Sequence, residues 1–183
     1  MPKIILGLVG PLASGKEVTK KYLEEQYKAS SYRFSTMLRD ILNRLYLPIS
    51  RENMQNLSLD LRQRFQGDVL AKVIAKDVER DTNSIVVIDG VRRLDDISHL
   101  KNLPGFFLVS IDASPEIRYK RMLSRNENSG DDQKTFNEFL ADGNKEAEQE
   151  ITAVMQTSKY HLNNDGSLPD LYKQIEEIIA QEK

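Results

Sequence analysis

Cysteine is absent from this 183-residue chain, and histidine occurs at only two positions. The lack of thiols excludes disulfides, thiolate metal sites and a cysteine nucleophile. His99 and His161 have no cysteine, histidine or carboxylate partner at metal-ligand spacing. This isolation favours a structural role for both histidines over a role in holding a metal.

Long hydrophobic runs and a strong net charge are also lacking. The apolar start Lys3–Val9 is too short for a signal peptide or a membrane-spanning helix. A formal net charge of -2 gives no global argument for nucleic acid or a membrane surface as partner. No repeat or linker divides the chain. We therefore expect one soluble, cytoplasmic domain over residues 1–183, as a monomer or small homo-oligomer.

The charges that are present lie unevenly along the chain. Residues 1–64 contain 11 basic and 6 acidic residues, whereas residues 126–150 contain 2 basic and 8 acidic residues. The excess of positive charge in the first third suits an anionic ligand. Either stretch is equally compatible with an ordinary solvated surface.

Short apolar runs alternate with amphipathic segments from end to end, which predicts an α/β fold with a parallel sheet. The predicted strands are Lys3–Val9, Tyr32–Phe34, Ile85–Asp89, Phe106–Asp112 and Tyr160–Asn163. The predicted helices are Glu17–Tyr27, Ser35–Leu45, Glu52–Arg80 with a break near Gly67, Leu94–Lys101, Pro115–Arg125, Thr135–Thr157 with a bend at residues 142–144, and Leu168–Gln181 capped by Ser167. The polar stretch Asn126–Lys134 is predicted to be a mobile loop.

A phosphate-binding loop directly follows the first strand. The segment between Val9 and Glu17 reads Gly-Pro-Leu-Ala-Ser-Gly-Lys, with two glycines and a lysine at the required spacing. Backbone N–H groups of such a loop, the helix N-terminus behind it and the lysine together bind the phosphates of a nucleoside triphosphate. The predicted phosphate-binding residues are Gly10, Leu12, Ala13, Ser14, Gly15, Lys16 and Glu17.

Glu17 departs from the pattern, because the motif has a serine or threonine there to hold Mg²⁺. A carboxylate beside the triphosphate would repel it and weaken nucleotide binding. Alternatively, Glu17 turns outward or holds the metal through water. The sequence leaves these alternatives open.

A second phosphate-related signal is the run Ile85–Asp89, which places a carboxylate at the carboxyl end of a buried strand. In phosphate-loop proteins an aspartate on a neighbouring strand lies near Mg²⁺, and ligands bind beyond the carboxyl ends of the strands. The alternative for Asp89 is a cap of the following turn.

Three groups of arginines are predicted at the same edge of the sheet. They comprise Arg39, the pair Arg92 and Arg93, and the helical set Arg118, Arg121 and Arg125. Guanidinium groups stabilise the negative charge that develops during phosphoryl transfer. Any one of these groups is equally compatible with surface salt bridges.

These residues together resemble the nucleoside monophosphate kinase family over nearly the whole chain. Phe34–Arg39 is similar to the adenylate kinase segment that grips the acceptor phosphate, Asp89–Arg93 to its Asp-Gly-Phe-Pro-Arg stretch, and Ile111–Glu116 to the strand before its lid helix. The segments Asp132–Phe139 and Asn163–Leu168 resemble dephospho-coenzyme A kinase and archaeal kinase-like relatives. The resemblance implies a three-layer α/β/α P-loop NTPase fold, with a five-stranded parallel sheet in the order 2-3-1-4-5 and a small lid.

The resemblance also implies an activity, namely ATP-dependent phosphoryl transfer to a nucleoside or deoxynucleoside monophosphate with ATP and magnesium as cofactors. It implies catalytic roles for Lys16, Asp89, Arg93, Arg121 and Arg125, acceptor binding by Ser35, Thr36, Arg39, Arg92 and Arg93, and magnesium binding by Asp89. Residues 121–134 would form the lid and residues 35–80 the acceptor-binding helices. The alternatives are a dephospho-coenzyme A kinase-like transferase and a nucleotide-binding module that Glu17 has made inactive.

Overall fold

In the computed structural model, which describes residues 3–125, 134–143 and 146–183, five parallel strands form one sheet. The strands are β1 (Ile4–Val9), β2 (Ser30–Arg33), β3 (Ile85–Asp89), β4 (Phe106–Asp112) and β5 (Tyr160–Asn163). Their order across the sheet is β2-β3-β1-β4-β5. The predicted fold class and strand order are thereby confirmed.

Eight helices lie between and after the strands in the described ranges. They are α1 (Lys16–Tyr27), α2 (Phe34–Arg44), α3 (Arg51–Phe65), α4 (Val69–Arg80), α5 (Pro115–Arg125), α6 (Phe136–Gly143), α7 (Glu146–Met155) and α8 (Leu168–Gln181). The break predicted near Gly67 separates α3 from α4. The bend predicted at residues 142–144 falls where α6 ends. Most of the predicted mobile loop, residues 126–133, lies outside the described residues.

Both faces of the sheet are covered, which explains why the inner strands β1 and β3 are continuous apolar runs. All six residues of β1 are buried, and alternate side chains enter two separate cores. Ile5 and Val9 join the core formed with α2, α4 and α7, whereas Ile4, Leu6 and Leu8 join the core formed with α1 and α8. This arrangement is a three-layer α/β/α sandwich.

The predicted helix Leu94–Lys101 is wrong. Two short 3₁₀ segments, Leu94–Ile97 and Leu100–Asn102, occupy this stretch. Apolar residues recur here every third position, at Leu94, Ile97, Leu100 and Leu103, which matches the three-residue turn of a 3₁₀ helix better than the α-helical period. Leu100 is fully buried, so the segment is held by packing.

The register of the strands brings the motif-bearing residues to one edge. Val9 at the end of β1 pairs with Ser110 of β4, and Asp89 at the end of β3 pairs with Arg33 of β2. The phosphate loop therefore begins beside the ends of its two neighbouring strands. Within residues 3–125, 134–143 and 146–183, no helix is long and apolar enough to cross a membrane.

Candidate functional site

The phosphate loop joins the end of β1 to the start of α1, and both of its glycines are required by close contacts. A Cβ atom on Gly10 would lie 2.1 Å from the backbone oxygen of Ile111 in β4. Gly15 has φ +112°, and a Cβ atom there would lie 2.1 Å from Nδ2 of Asn164. The left-handed conformation and the tight packing exclude larger residues at these positions.

Lys16 is the first residue of α1, and its ammonium group folds back over the loop. Nζ donates to the backbone oxygens of Gly10 at 2.6 Å and Pro11 at 2.8 Å. A bound phosphate would offer stronger, charged acceptors to the same group. The structure thus places the lysine at the loop in the way that the motif requires.

The loop is supported from outside by two helices. Ala13 adopts φ 60° and is buried against Met122 of α5 and Phe139 of α6. Ser14 is fully buried, and its hydroxyl has no hydrogen-bond partner among the described residues. An unsatisfied buried hydroxyl within a phosphate loop fits a site that gains a polar ligand.

The negative charge of Glu17 is partly neutralised by a neighbouring lysine. Its carboxylate is 41% exposed and lies 3.1 Å from Nζ of Lys20, one turn along α1. The sequence left the direction of Glu17 open, and the structure shows a partly exposed carboxylate that is paired with Lys20. Lys20 offsets part of the repulsion that Glu17 would exert on a triphosphate.

Asp89 lies buried at the end of β3 and is paired with an arginine that the sequence analysis missed. Nε of Arg33 lies 3.0 Å from Oδ2 of Asp89, whose side chain is 4% exposed. Mg²⁺ takes one or two carboxylates, waters and phosphate oxygens, so the residues present fit such an ion, with Asp89 as the protein ligand.

The predicted acceptor-binding residues lie in the first two turns of α2 and in the turn after β3. Ser35 and Thr36 lie in the first turn of α2, which begins directly after β2. Arg39 and Arg92 are exposed. Arg93 lies on the same turn as Arg92, but its Nε is 3.1 Å from a carboxylate oxygen of Glu150 on α7. An acceptor anion would have to compete with that pair.

The arginines of α5 have different contacts. Arg118 donates to the backbone oxygen of Ala113 at 3.0 Å and lies over the ring of Phe139 at 5.3 Å, so it braces the helix beside the phosphate loop. Arg121 donates through Nη2 to the backbone oxygen of Asn164 at 2.9 Å. Arg125 is the last residue of α5, and its side chain lies outside the described residues.

Asn164, which the sequence analysis quoted but gave no role, connects these parts. It is 3% exposed, and its Nδ2 donates to the backbone oxygen of Ser14 at 2.7 Å. The neighbouring Asp165 accepts the backbone N–H of Ser114, which lowers the pKa of its carboxyl. The turn after β5 is thus bonded both to the phosphate loop and to the start of α5. Its Asn-Asp-Gly-Ser composition signals a turn but not these contacts.

We expect Asn164→Ala to loosen the phosphate loop. The variant removes the bond to Ser14 and leaves a buried carbonyl without its donor, at a cost of about 1–3 kcal/mol. Thermal unfolding should occur at lower temperature, and ATP affinity by calorimetry should fall. Asn102→Ala, at an exposed position, is the matched control. Unchanged ATP affinity in Asn164→Ala would show that the loop keeps its shape without this bond.

Each of the two histidines has a polar neighbour within hydrogen-bond distance. Nδ1 of His161 is 2.7 Å from the hydroxyl of Ser110, and Nε2 of His99 is 2.9 Å from Asp68. Among the described residues, no group of three or more histidine, aspartate or glutamate side chains is arranged to hold a metal. An open cavity of about 340 Å³ borders the phosphate loop, with Pro11, Arg118 and His161 in its lining.

Comparison with known proteins agrees with this geometry. The protein-family model described as an AAA domain matches residues 9–139. A UPF0200 protein of Methanococcus maripaludis is 25% identical over 179 residues, covering 97% of this chain and 96% of the relative. A UPF0200 protein of Saccharolobus solfataricus is 27% identical over 180 residues, covering 96% and 92%.

Solved structures share the fold at low sequence identity. The shikimate kinase of Bacteroides thetaiotaomicron superposes with a TM-score of 0.63 at 12% identity, covering 97% of both chains. A Thermus thermophilus protein superposes with a TM-score of 0.62 at 16% identity, covering 99% of this chain and 98% of its own. Both structures share the fold of this chain over 97–99% of its length.

Proposed function

Since the chain belongs to the AAA domain family, whose model spans residues 9–139, we propose that it is a nucleotide-dependent phosphotransferase. The donor is ATP, and the acceptor is a small phosphorylated molecule, with nucleoside and deoxynucleoside monophosphates as the leading class. The observation that carries the proposal is the phosphate loop itself, with Lys16 held 2.6 Å and 2.8 Å from two loop carbonyl oxygens.

The residues of the loop would bind and orient the donor. Backbone N–H groups from Leu12 to Glu17 would contact the phosphates, and Lys16 would leave its carbonyl partners to bridge the β- and γ-phosphates. Magnesium, when bound beside Asp89, would neutralise charge on those phosphates. In phosphoryl transfer the protein forms few covalent bonds itself. Positioning of the donor and neutralisation of its charge would therefore supply most of the rate acceleration.

The acceptor would lie across the ends of β2 and β3. Arg92 follows β3, Arg39 lies in the second turn of α2, and both are exposed. Two guanidinium groups would provide the paired donors that a phosphate prefers. Arg93 would join them after releasing Glu150. Arg121 and Arg125, both on α5, would bind the transferred phosphate. A dephospho-coenzyme A kinase-like reaction uses the same donor site with a different acceptor and is the alternative.

Release of ADP from ATP in the presence of candidate acceptors tests this proposal. We would screen AMP, CMP, GMP, UMP, dTMP and dephospho-coenzyme A in a coupled assay with magnesium. A nucleoside monophosphate is expected to raise ADP release well above the acceptor-free rate. Stimulation by dephospho-coenzyme A alone would favour the alternative acceptor. Binding of ATP without transfer to any acceptor would identify a nucleotide-binding module instead.

Glu17 offers a direct test of why this loop departs from its motif. We expect Glu17→Ser to tighten Mg²⁺–ATP binding and to raise the transfer rate, because it removes a negative charge and supplies a hydroxyl. Lys20→Met should act in the opposite direction by leaving Glu17 unpaired, although exposed pairs are worth only about 0.2–1 kcal/mol. If Glu17→Ser lowers both affinity and rate, Glu17 takes part in binding the metal or the nucleotide.

A further inference from the structure

The carboxylate of Asp96 is hydrogen-bonded to the turn after β3 that contains Arg92 and Arg93. Asp96 is buried, with 2% of its surface exposed. Its Oδ2 accepts the backbone N–H groups of Arg92 at 2.9 Å and Arg93 at 3.1 Å, and its Oδ1 accepts Nη2 of Arg62 at 2.7 Å. One carboxylate thus bonds to both residues of the predicted acceptor-binding turn and to a helix that lies outside it.

Arg62 belongs to α3, a helix that is only partly buried against the rest of the protein. α3 contains no fully buried residue, although some of its apolar side chains pack against the core. The guanidinium of Arg62 is 13% exposed and also donates to the backbone oxygen of Gly67. Nearby, Asp68 lies 2.9 Å from His99. The junction of α3 and α4 is therefore docked on the segment that follows the arginine turn.

We propose that Asp96 and Arg62 are positioning residues for recognition of the acceptor anion, an inference that rests on the proposed function. Asp96 sets the backbone of the turn, so that the side chains of Arg92 and Arg93 leave it in fixed directions. Arg62 holds Asp96 in place and links the turn to the helices of residues 35–80. The turn and α3 would then form one acceptor-binding unit.

Physical chemistry favours this role over one in stability alone. A buried ion pair stabilises a fold no better than a well-packed apolar pair of similar volume, whereas losing one partner leaves a charge buried without compensation. Arginine binds phosphate through a rigid, planar fork of N–H donors. The strength of this binding depends strongly on the direction in which the arginine side chain points. A carboxylate that accepts two adjacent N–H groups supplies that direction.

The test compares Asp96→Asn, Arg62→Met and Arg62→Lys with the unmodified protein. The acceptor is whichever monophosphate in the panel stimulates ADP release most. Asp96→Asn and Arg62→Met should each raise the acceptor KM by about ten- to a hundredfold, as expected for misplaced binding groups. The Kd for ATP should change less than about twofold, and Arg62→Lys, which keeps the charge, should recover part of the loss.

Amide hydrogen exchange provides a second measurement that needs no activity. The Arg92 and Arg93 amides should exchange faster in Asp96→Asn, because both lose a charged acceptor. Lys173→Met, at an exposed position of α8 outside residues 35–80, is the control and should leave both KM and exchange unchanged. If Asp96→Asn fails to fold, the two Arg62 variants decide the outcome.

The proposal is overturned if the acceptor KM stays the same, or if ATP affinity falls as much as acceptor affinity, since that would indicate general disruption. A wild-type protein that transfers phosphate to no acceptor would refute the proposed function. In that case, unchanged exchange at Arg92 and Arg93 would separately refute the role of Asp96 in fixing the turn.

Discussion

Lys16→Met is expected to weaken ATP binding by about 10- to 150-fold, which corresponds to the roughly 1.5–3 kcal/mol of a hydrogen bond to a charged group. Lys16 is the only cationic residue in the segment Gly10–Lys16. In the structure its ammonium already lies at the loop, bonded to two carbonyl oxygens. Methionine keeps the length of the side chain but supplies neither charge nor donor.

Calorimetric titration with Mg²⁺–ATP measures this effect, and Lys76→Met serves as the control because Lys76 is an exposed lysine on α4. Both variants should keep the circular dichroism spectrum of the unmodified protein. Any transfer activity should fall in Lys16→Met at least as much as affinity, since the lysine would also stabilise charge in the transition state. Equal ATP affinity in Lys16→Met and the unmodified protein would refute nucleotide binding by this loop.

Gly10→Ala is expected to damage both the fold and the site. The added Cβ would lie 2.1 Å from the backbone oxygen of Ile111 and 2.7 Å from Oγ of Ser14. The first neighbour is backbone in the central sheet, so relief requires β1 and β4 to move apart where the loop begins. Overpacking of this kind costs typically about 1–3 kcal/mol, and the displaced loop should bind ATP weakly.

Gly143→Ala is the matched control for this prediction, because a Cβ on Gly143 would meet no atom of the described residues within 4 Å. Gly143 is the last residue of α6, where alanine replaces the more flexible glycine without a clash. Urea unfolding should therefore show a lower midpoint for Gly10→Ala but not for Gly143→Ala. A Gly10→Ala protein with normal stability and normal ATP affinity would mean that the contact with β4 is easily relaxed.

Local patterns allowed most of the fold to be predicted. The buried strands are continuous apolar runs, and the predicted bounds of β3, β4 and β5 agree with the structure. Ser167 caps α8 through its hydroxyl, as predicted. The strand order came from the family resemblance and not from periodicity. The α-helix predicted over Leu94–Lys101 was wrong because the apolar residues there recur every third position, as in a 3₁₀ helix.

The site was predictable only in part. The spacing of Gly10, Gly15 and Lys16 is a local property, so the phosphate loop was evident from the sequence. The partners of the arginines were not, because a long side chain selects among acceptors that the chain brings together from far away. Arg121 reaches Asn164 across 43 positions, and Arg62 reaches Asp96 across 34.

The sequence by itself determined the chemistry of the loop, the absence of thiol chemistry and the alternation of strands and helices, because each depends on neighbouring residues. Tertiary structure decided the pairing of Asp89 with Arg33 and the bond from Asn164 to the loop. These depend on strand order and helix packing, which place groups within 3 Å or so of each other only after the sheet has formed. The arginines show this difference between sequence and fold most clearly. The sequence shows on which helix or turn each arginine lies, whereas only the fold shows which group it contacts.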